Sequence, residues 1–156
     1  MTDVGDEYLS QEKFEELNKE LTYLKTIKRK EIAQNLEYAR SLGDLSENAE
    51  YQEAREMQAA IEERIVKLEG ILKSAKIVAH KRGDLVTLGS KVIITKEGEK
   101  DTHEYQLVGS EEANMHERKI SHLSPLGEAI MGKKKGETFS FQTPNGKMSY
   151  KILEVK

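Results

Sequence analysis

From Ser10 to Glu69 the chain contains one glycine, Gly43, and no proline. A stretch of that length without helix breakers is permissive for long helices, and a lone central glycine marks where they turn. Ser10 is a favoured N-cap residue, with Gln11 and Glu12 in the first turn behind it. Phe14, Leu17, Leu21 and Leu24 then recur at spacings of three and four, the seam of a coiled coil. The seam continues less regularly through Ile32, Leu36 and Ala39. A second stripe runs through Ala54, Met57, Ile61, Leu68 and Ala75, with Ile65 and Leu72 beside it. Gly43 can end the first helix in a left-handed conformation, and a short turn then returns the second helix along the first. Two helices of about 30 residues give a hairpin roughly 45 Å long at 1.5 Å per residue.

The second half is built from other material. Both prolines, Pro125 and Pro144, and eight of the eleven glycines lie after residue 80. Short β-branched or aromatic runs stand between turns at Val86–Leu88, Val92–Thr95 and Tyr105–Val108. Residues 138–142 and 148–152 alternate with period two around Pro144, Asn145 and Gly146, which predicts a hairpin. Ser124 before Pro125 predicts the N-cap and first position of a short helix reaching Met131. The expected architecture is α+β in two domains. An antiparallel α-helical hairpin spans residues 1–78, and a small domain with a mainly antiparallel sheet spans 79–156, with a linker near Ala79–Asp84.

Charge follows the same division. Residues 1–78 hold 12 Lys and Arg against 17 Asp and Glu, and residues 79–156 hold 13 against 11. A formal net charge of -3 argues against a general nucleic-acid binder. No cysteine is present, which excludes disulfides and thiolate chemistry. No apolar run approaches the ~20 residues of a membrane span. The acidic, polar first residues do not read as a signal peptide, and a cytoplasmic setting is expected. The four histidines, His80, His103, His116 and His122, lack zinc-ligand spacing, and Lys133–Lys135 reads as an exposed loop.

The turn region, Arg40-Ser41-Leu42-Gly43-Asp44-Leu45-Ser46-Glu47-Asn48-Ala49-Glu50-Tyr51, carries the candidate chemistry, and its spacing supports two readings. Asp44 followed three residues later by Glu47 is a capping-box arrangement with Asp in place of Ser or Thr. The same two carboxylates on an exposed tip could share a hard cation such as Mg²⁺, which takes few protein oxygens and keeps its waters. Alone they would hold it weakly, but beside a partner's carboxylates they could complete a two-metal site. Asn48 could hydrogen-bond near metal waters, while Tyr51 could stack on a base or pack against the first helix. Arg40 and Arg55 flank the tip, and Lys25, Lys28, Arg29 and Lys30 cluster lower on helix one. Such basic residues ordinarily form a solvated face paired with nearby Glu.

The run from Gly43 to Tyr51, continued by Ala54-Arg55-Glu56, resembles the tip of the bacterial Gre transcript-cleavage factors, in particular the GreA type. The resemblance extends to Glu20-Leu21-Thr22-Tyr23-Leu24, Glu31-Ile32-Ala33, Ser124-Pro125-Leu126-Gly127 and Gly132–Glu137, so it covers nearly the whole chain. It implies an FKBP-like second domain that docks on RNA polymerase, here through Ser124 and Pro125. It also implies a hairpin inserted into the polymerase's secondary channel. There Asp44 and Glu47 would help hold a catalytic Mg²⁺, shared with the polymerase and not tightly bound by this chain alone, together with a reactive water. The polymerase would then cleave the 3′ end of backtracked RNA, so the chain would be no enzyme itself. Asn48 and Tyr51 would support the tip, and Arg40, Arg55, Lys28 and Arg29 would contact RNA. A monomer suits insertion into a channel. Lys30 stands where Gre sequences often carry proline, which implies a straighter first helix.

Two rivals remain at this stage. A regulator of the same fold could occupy the channel without promoting cleavage. A prolyl-isomerase-like binder would use an aromatic-lined cleft, for which Tyr105, Phe139, Phe141 and Tyr150 are the available rings.

Overall fold

The computed structural model describes residues 6–156, so the first five residues of the acidic start lie outside the described residues. The chain divides into two compact units, Phe14–Ser74 and a second formed by the described residues up to Lys13 together with Ala75–Lys156. The stretch before Phe14, expected in the hairpin domain, thus groups with the sheet.

The first unit is an antiparallel helical pair. Its first arm is α1 (Gln11–Tyr23) from Phe14 onward, a π-helical turn at Leu24–Lys28, and α2 (Arg29–Ser41). Its second arm is α3 (Ala49–Ser74). Ser10 caps α1, its Oγ accepting from the Lys13 amide at 3.1 Å. The π-turn explains the irregular seam. The 3–4 spacing puts the position equivalent to Leu24 seven residues on, at 31, yet the buried residue is Ile32, eight residues on. A π-turn accommodates one extra residue, so Ile32, Leu36 and Ala39 return to the face that Leu17 occupies. All four are buried.

Opposite them α3 buries Ala54, Ile65, Leu68 and Ile71. Met57 is 40% exposed and falls outside the seam. Ala75, expected in the stripe, has left the helix for a strand. Bidentate pairs cross between the arms from Arg29 to Glu62 (2.7 and 2.7 Å) and from Arg64 to Glu20 (2.7 and 2.9 Å). A Lys25–Glu69 pair joins them.

The second unit holds two sheets. β1 (Glu7–Leu9) and β2 (Ala75–Ile77) form a short parallel pair. The larger sheet comprises β3 (Lys91–Lys96), β4 (Thr102–Val108), β5 (Lys119–Ser121), β6 (Thr138–Thr143) and β7 (Gly146–Val155), ordered β5-β4-β3-β7-β6. Only the β4–β5 pairing in that sheet is parallel. Its core is Val86, Val92, Ile94, Leu107, Ile120, Ile130, Phe139 and Ile152. The expected hairpin is β6–β7, closed where Thr143 faces Gly146. The expected short helix is α4 (Pro125–Ile130), with Pro125 in its first turn and the Ser124 hydroxyl accepting from the Gly127 amide at 3.0 Å.

Val86–Leu88 is not a strand. The Ser90 hydroxyl accepts from the Thr87 amide at 3.0 Å and Gly89 has φ +91°, so the segment closes a turn while Val86 stays buried. Among the described residues no helix is long and apolar enough to cross a membrane.

Candidate functional site

The loop between α2 and α3 starts with Leu42, whose amide bonds the Ala39 carbonyl at 3.2 Å, and Gly43, whose φ of +120° suits only glycine. The capping box expected of Asp44 and Glu47 does not form. α3 begins later, at Ala49, and its cap is Asn48: Oδ1 accepts from the Tyr51 amide at 3.1 Å. The same side chain reaches back across the loop, where Nδ2 donates to the Ala39 carbonyl at 2.6 Å.

Asp44 turns onto its own loop instead. Its Oδ1 accepts from the Ser46 amide at 3.0 Å and from the Ser46 hydroxyl at 2.9 Å. These two donors, the amide foremost, hold its carboxyl below the usual carboxylate range. Among the described residues Oδ2 of Asp44 and both oxygens of Glu47 have no hydrogen-bond or ion-pair partner, and both residues are exposed. Ser46 was missed from sequence; its position two residues after an Asp, the spacing of an Asx turn, was the available signal.

Tyr51 lies half-buried against Ile32, Leu36 and Ala54, so the ring packs on the first arm. The guanidinium carbons of Arg40 and Arg55 each lie 6.0 Å from its ring centroid. Arg55 donates to the phenol at 3.4 Å, and Arg55 first, then Arg40, draw the phenol pKa below its usual value. Neither arginine has a carboxylate partner among the described residues. Lys28 and Arg29 differ: Lys28 pairs with Glu31 at 3.0 Å and Arg29 is held by Glu62. Lys28 and Arg29 are thus each paired with a carboxylate, whereas Arg40 and Arg55 beside the tip share the Tyr51 ring.

The donor set suits half of a hard-cation site. It offers exposed oxygens on a loop tied at both ends, and two carboxylates fall short of the ligands such an ion requires. Among the described residues no group of three or more His, Asp or Glu could hold a metal.

In the second unit, Ser124 and Pro125 line a cleft of about 490 Å³ together with Met115, Ile120, Leu126 and Phe141. Phe141 is its single aromatic wall. Phe139 is buried in the core, while Tyr150 stacks on both phenylalanines outside the cleft lining. The sequence could not show this cleft, because its walls come from four separate segments.

Residues 7–77 match the family model "Transcription elongation factor, N-terminal" and residues 80–156 match "Transcription elongation factor, GreA/GreB, C-term". The chain is 46% identical to the transcription elongation factor GreA of Caldanaerobacter subterraneus, covering 95% of this chain and 96% of that protein. It is 44% identical to GreA of Bacillus subtilis, covering 90% of each. A crystal structure of GreA factor homolog 1 from Thermus thermophilus covers 97% of the chain at 27% identity, with a TM-score of 0.43.

Proposed function

Because this chain belongs to the GreA/GreB family of transcription elongation factors, we propose that it binds cytoplasmic RNA polymerase, enters the secondary channel by its hairpin and stimulates cleavage of backtracked RNA by the polymerase's own active site. One observation carries this reading. The loop is tied at both ends by Asn48 and braced within by the bonds from Ser46 to Asp44, while Glu47 and Oδ2 of Asp44 remain uncommitted at the exposed tip. A carboxylate pair that served only folding would be spent on the helix terminus, and here Asn48 has taken that task.

In this proposal Asp44 and Glu47 supply oxygens to a site whose remaining ligands belong to the polymerase. A Mg²⁺ ion bound there would supply charge stabilisation and a more acidic water. Asp44, whose ionised form the Ser46 donors favour, presents Oδ2. Glu47, unattached and exposed, would supply the second carboxylate to such an ion. Arg40 and Arg55 grip phosphates of the extruded RNA 3′ segment, and Tyr51 gives both guanidinium groups a common footing. Lys28 and Arg29, committed to Glu31 and Glu62, contribute to the hairpin more than to RNA. The cleft bearing Ser124 and Pro125 is the docking surface for the polymerase, taking an apolar side chain.

The test is the double variant Asp44→Ala plus Glu47→Ala in reconstituted stalled complexes. Cleavage should fall by about 100-fold or more, the scale of losing groups that orient reactants. Binding to polymerase, read by competition, should be unchanged. Undiminished cleavage would overturn the mechanism. A wild-type protein that binds but never stimulates cleavage would make it an occupant of the channel instead.

A further inference from the structure

We propose that Asn48 is a positioning residue for the carboxylate pair and acts through the backbone carbonyl of Ala39, not through the metal or its waters. The inference rests on the tip reading above and goes one step further by naming what sets the geometry of the tip.

Between the end of α2 at Ser41 and the start of α3 at Ala49, residues 41–47 are all exposed, and Asn48 is half-buried. A loop so open has little packing to define its shape. Its fastening is polar. At one end the Asn48 oxygen caps α3 through the Tyr51 amide, and the Asn48 carbonyl accepts from Gln52 at 3.1 Å. At the other end the Asn48 amide nitrogen donates at 2.6 Å to Ala39, the last buried residue of α2. The Ala39 carbonyl already accepts from Leu42 at 3.2 Å, so two donors converge on one oxygen.

The residue type is decisive here. Ser, Thr and Asp cap helices as well as Asn does, but Asp has no donor, and the hydroxyls are too short to cap one helix and reach another. An amide can accept at the cap and donate across the loop with the same rigid group. Glu47 is the residue next to this tie, so any parting of the two helix ends displaces its carboxylate directly. With oxygen and nitrogen both turned to protein backbone, Asn48 is placed to hold the loop and not to meet solvent ligands.

The experiment compares Asn48→Ser and Asn48→Ala with wild type and with the Asp44→Ala plus Glu47→Ala control, all as full chains. Ser keeps the cap and loses the tie; Ala loses both. Asn48→Ser should keep wild-type helicity and polymerase affinity within about twofold. At saturating factor its single-turnover cleavage rate should fall by about 10- to 100-fold, and the Mg²⁺ concentration giving half the maximal rate should rise. In the free protein, without polymerase or metal, amide exchange over residues 43–47 should quicken, which a role confined to the reacting waters would not produce. Wild-type cleavage by Asn48→Ser while the control is inactive overturns the role of Asn48 and leaves the carboxylate reading standing. A deficit abolished by more factor, or unchanged amide exchange, overturns it as well. Full activity in the control removes the carboxylate reading and this inference together.

Discussion

Asp44 shows how one residue's neighbours set its chemistry. Two donors from Ser46, the amide foremost, stabilise its ionised form and outweigh the opposing desolvation, with no cation involved. A folded-state pKa below the unfolded value contributes stability above the unfolded value, and this contribution is lost as pH falls through the folded one. Ser46→Ala removes the hydroxyl donor and loosens the turn that supplies the amide. The Asp44 midpoint, read by carboxyl NMR titration, is expected below the ordinary range in wild type and higher in Ser46→Ala. The acid limb of cleavage stimulation should move upward with it. The phenol of Tyr51 gives a matching test at the alkaline end. Its lowered pKa comes first from Arg55, so Arg55→Ala should raise the Tyr51 midpoint in an ultraviolet titration and leave the other tyrosines unmoved.

At the scale of the element, the π-turn at Leu24–Lys28 keeps two regular seams in phase. It carries one residue more than an α-helix needs between Leu24 and Ile32. Deleting Thr26 should convert it to α-helix and leave Ile32, Leu36 and Ala39 facing α3, costing less than about 1 kcal/mol in thermal or urea unfolding. Deleting Asn35 instead, within regular helix, should rotate Leu36 and Ala39 out of the seam and cost about 3 kcal/mol or more. Equal losses from the two deletions would refute this account of the turn. The ion pairs that cross between the arms are all more than a third exposed, and such pairs contribute little on their own. They align the arms, while the apolar seam holds them together.

The division into units at the scale of the whole molecule does not follow chain order. Glu7–Leu9 pairs in parallel with Ala75–Ile77, and Leu9 is 1% exposed. Ser10 both caps α1 and bonds Glu112, its Oγ donating at 2.8 Å and its amide at 3.2 Å. Gly109 completes the fastening: a Cβ there would lie 1.9 Å from the Tyr8 carbonyl oxygen, so only glycine lets the N-terminal strand sit this close. Leu9→Ala is expected to cost about 3 kcal/mol by cavity formation. Gly109→Ala should destabilise by displacing the strand, visible as faster amide exchange over residues 7–9. Wild-type stability in Leu9→Ala would mean that the strand is dispensable to the unit.

What the amino-acid sequence determined by itself was whatever depends on residues a few positions apart. Both helical arms, their turn at Gly43, the β6–β7 hairpin and the Ser124–Pro125 helix start were legible because periodicity, breakers and caps are local signals. The candidate carboxylates were legible as a pair, and their spacing alone admitted a capping box equally well. The structure decided that question: the cap is Asn48, bonded to the Tyr51 amide and also to the Ala39 carbonyl of the other helix. It also decided the parallel β1–β2 pair, the turn at Val86–Leu88 and the walls of the cleft. Each brings together segments that chain order keeps apart; the Val86 and Gly89 amides, for example, bond the carbonyls of Lys133 and Leu107, and such groups find their partners only after the chain has folded.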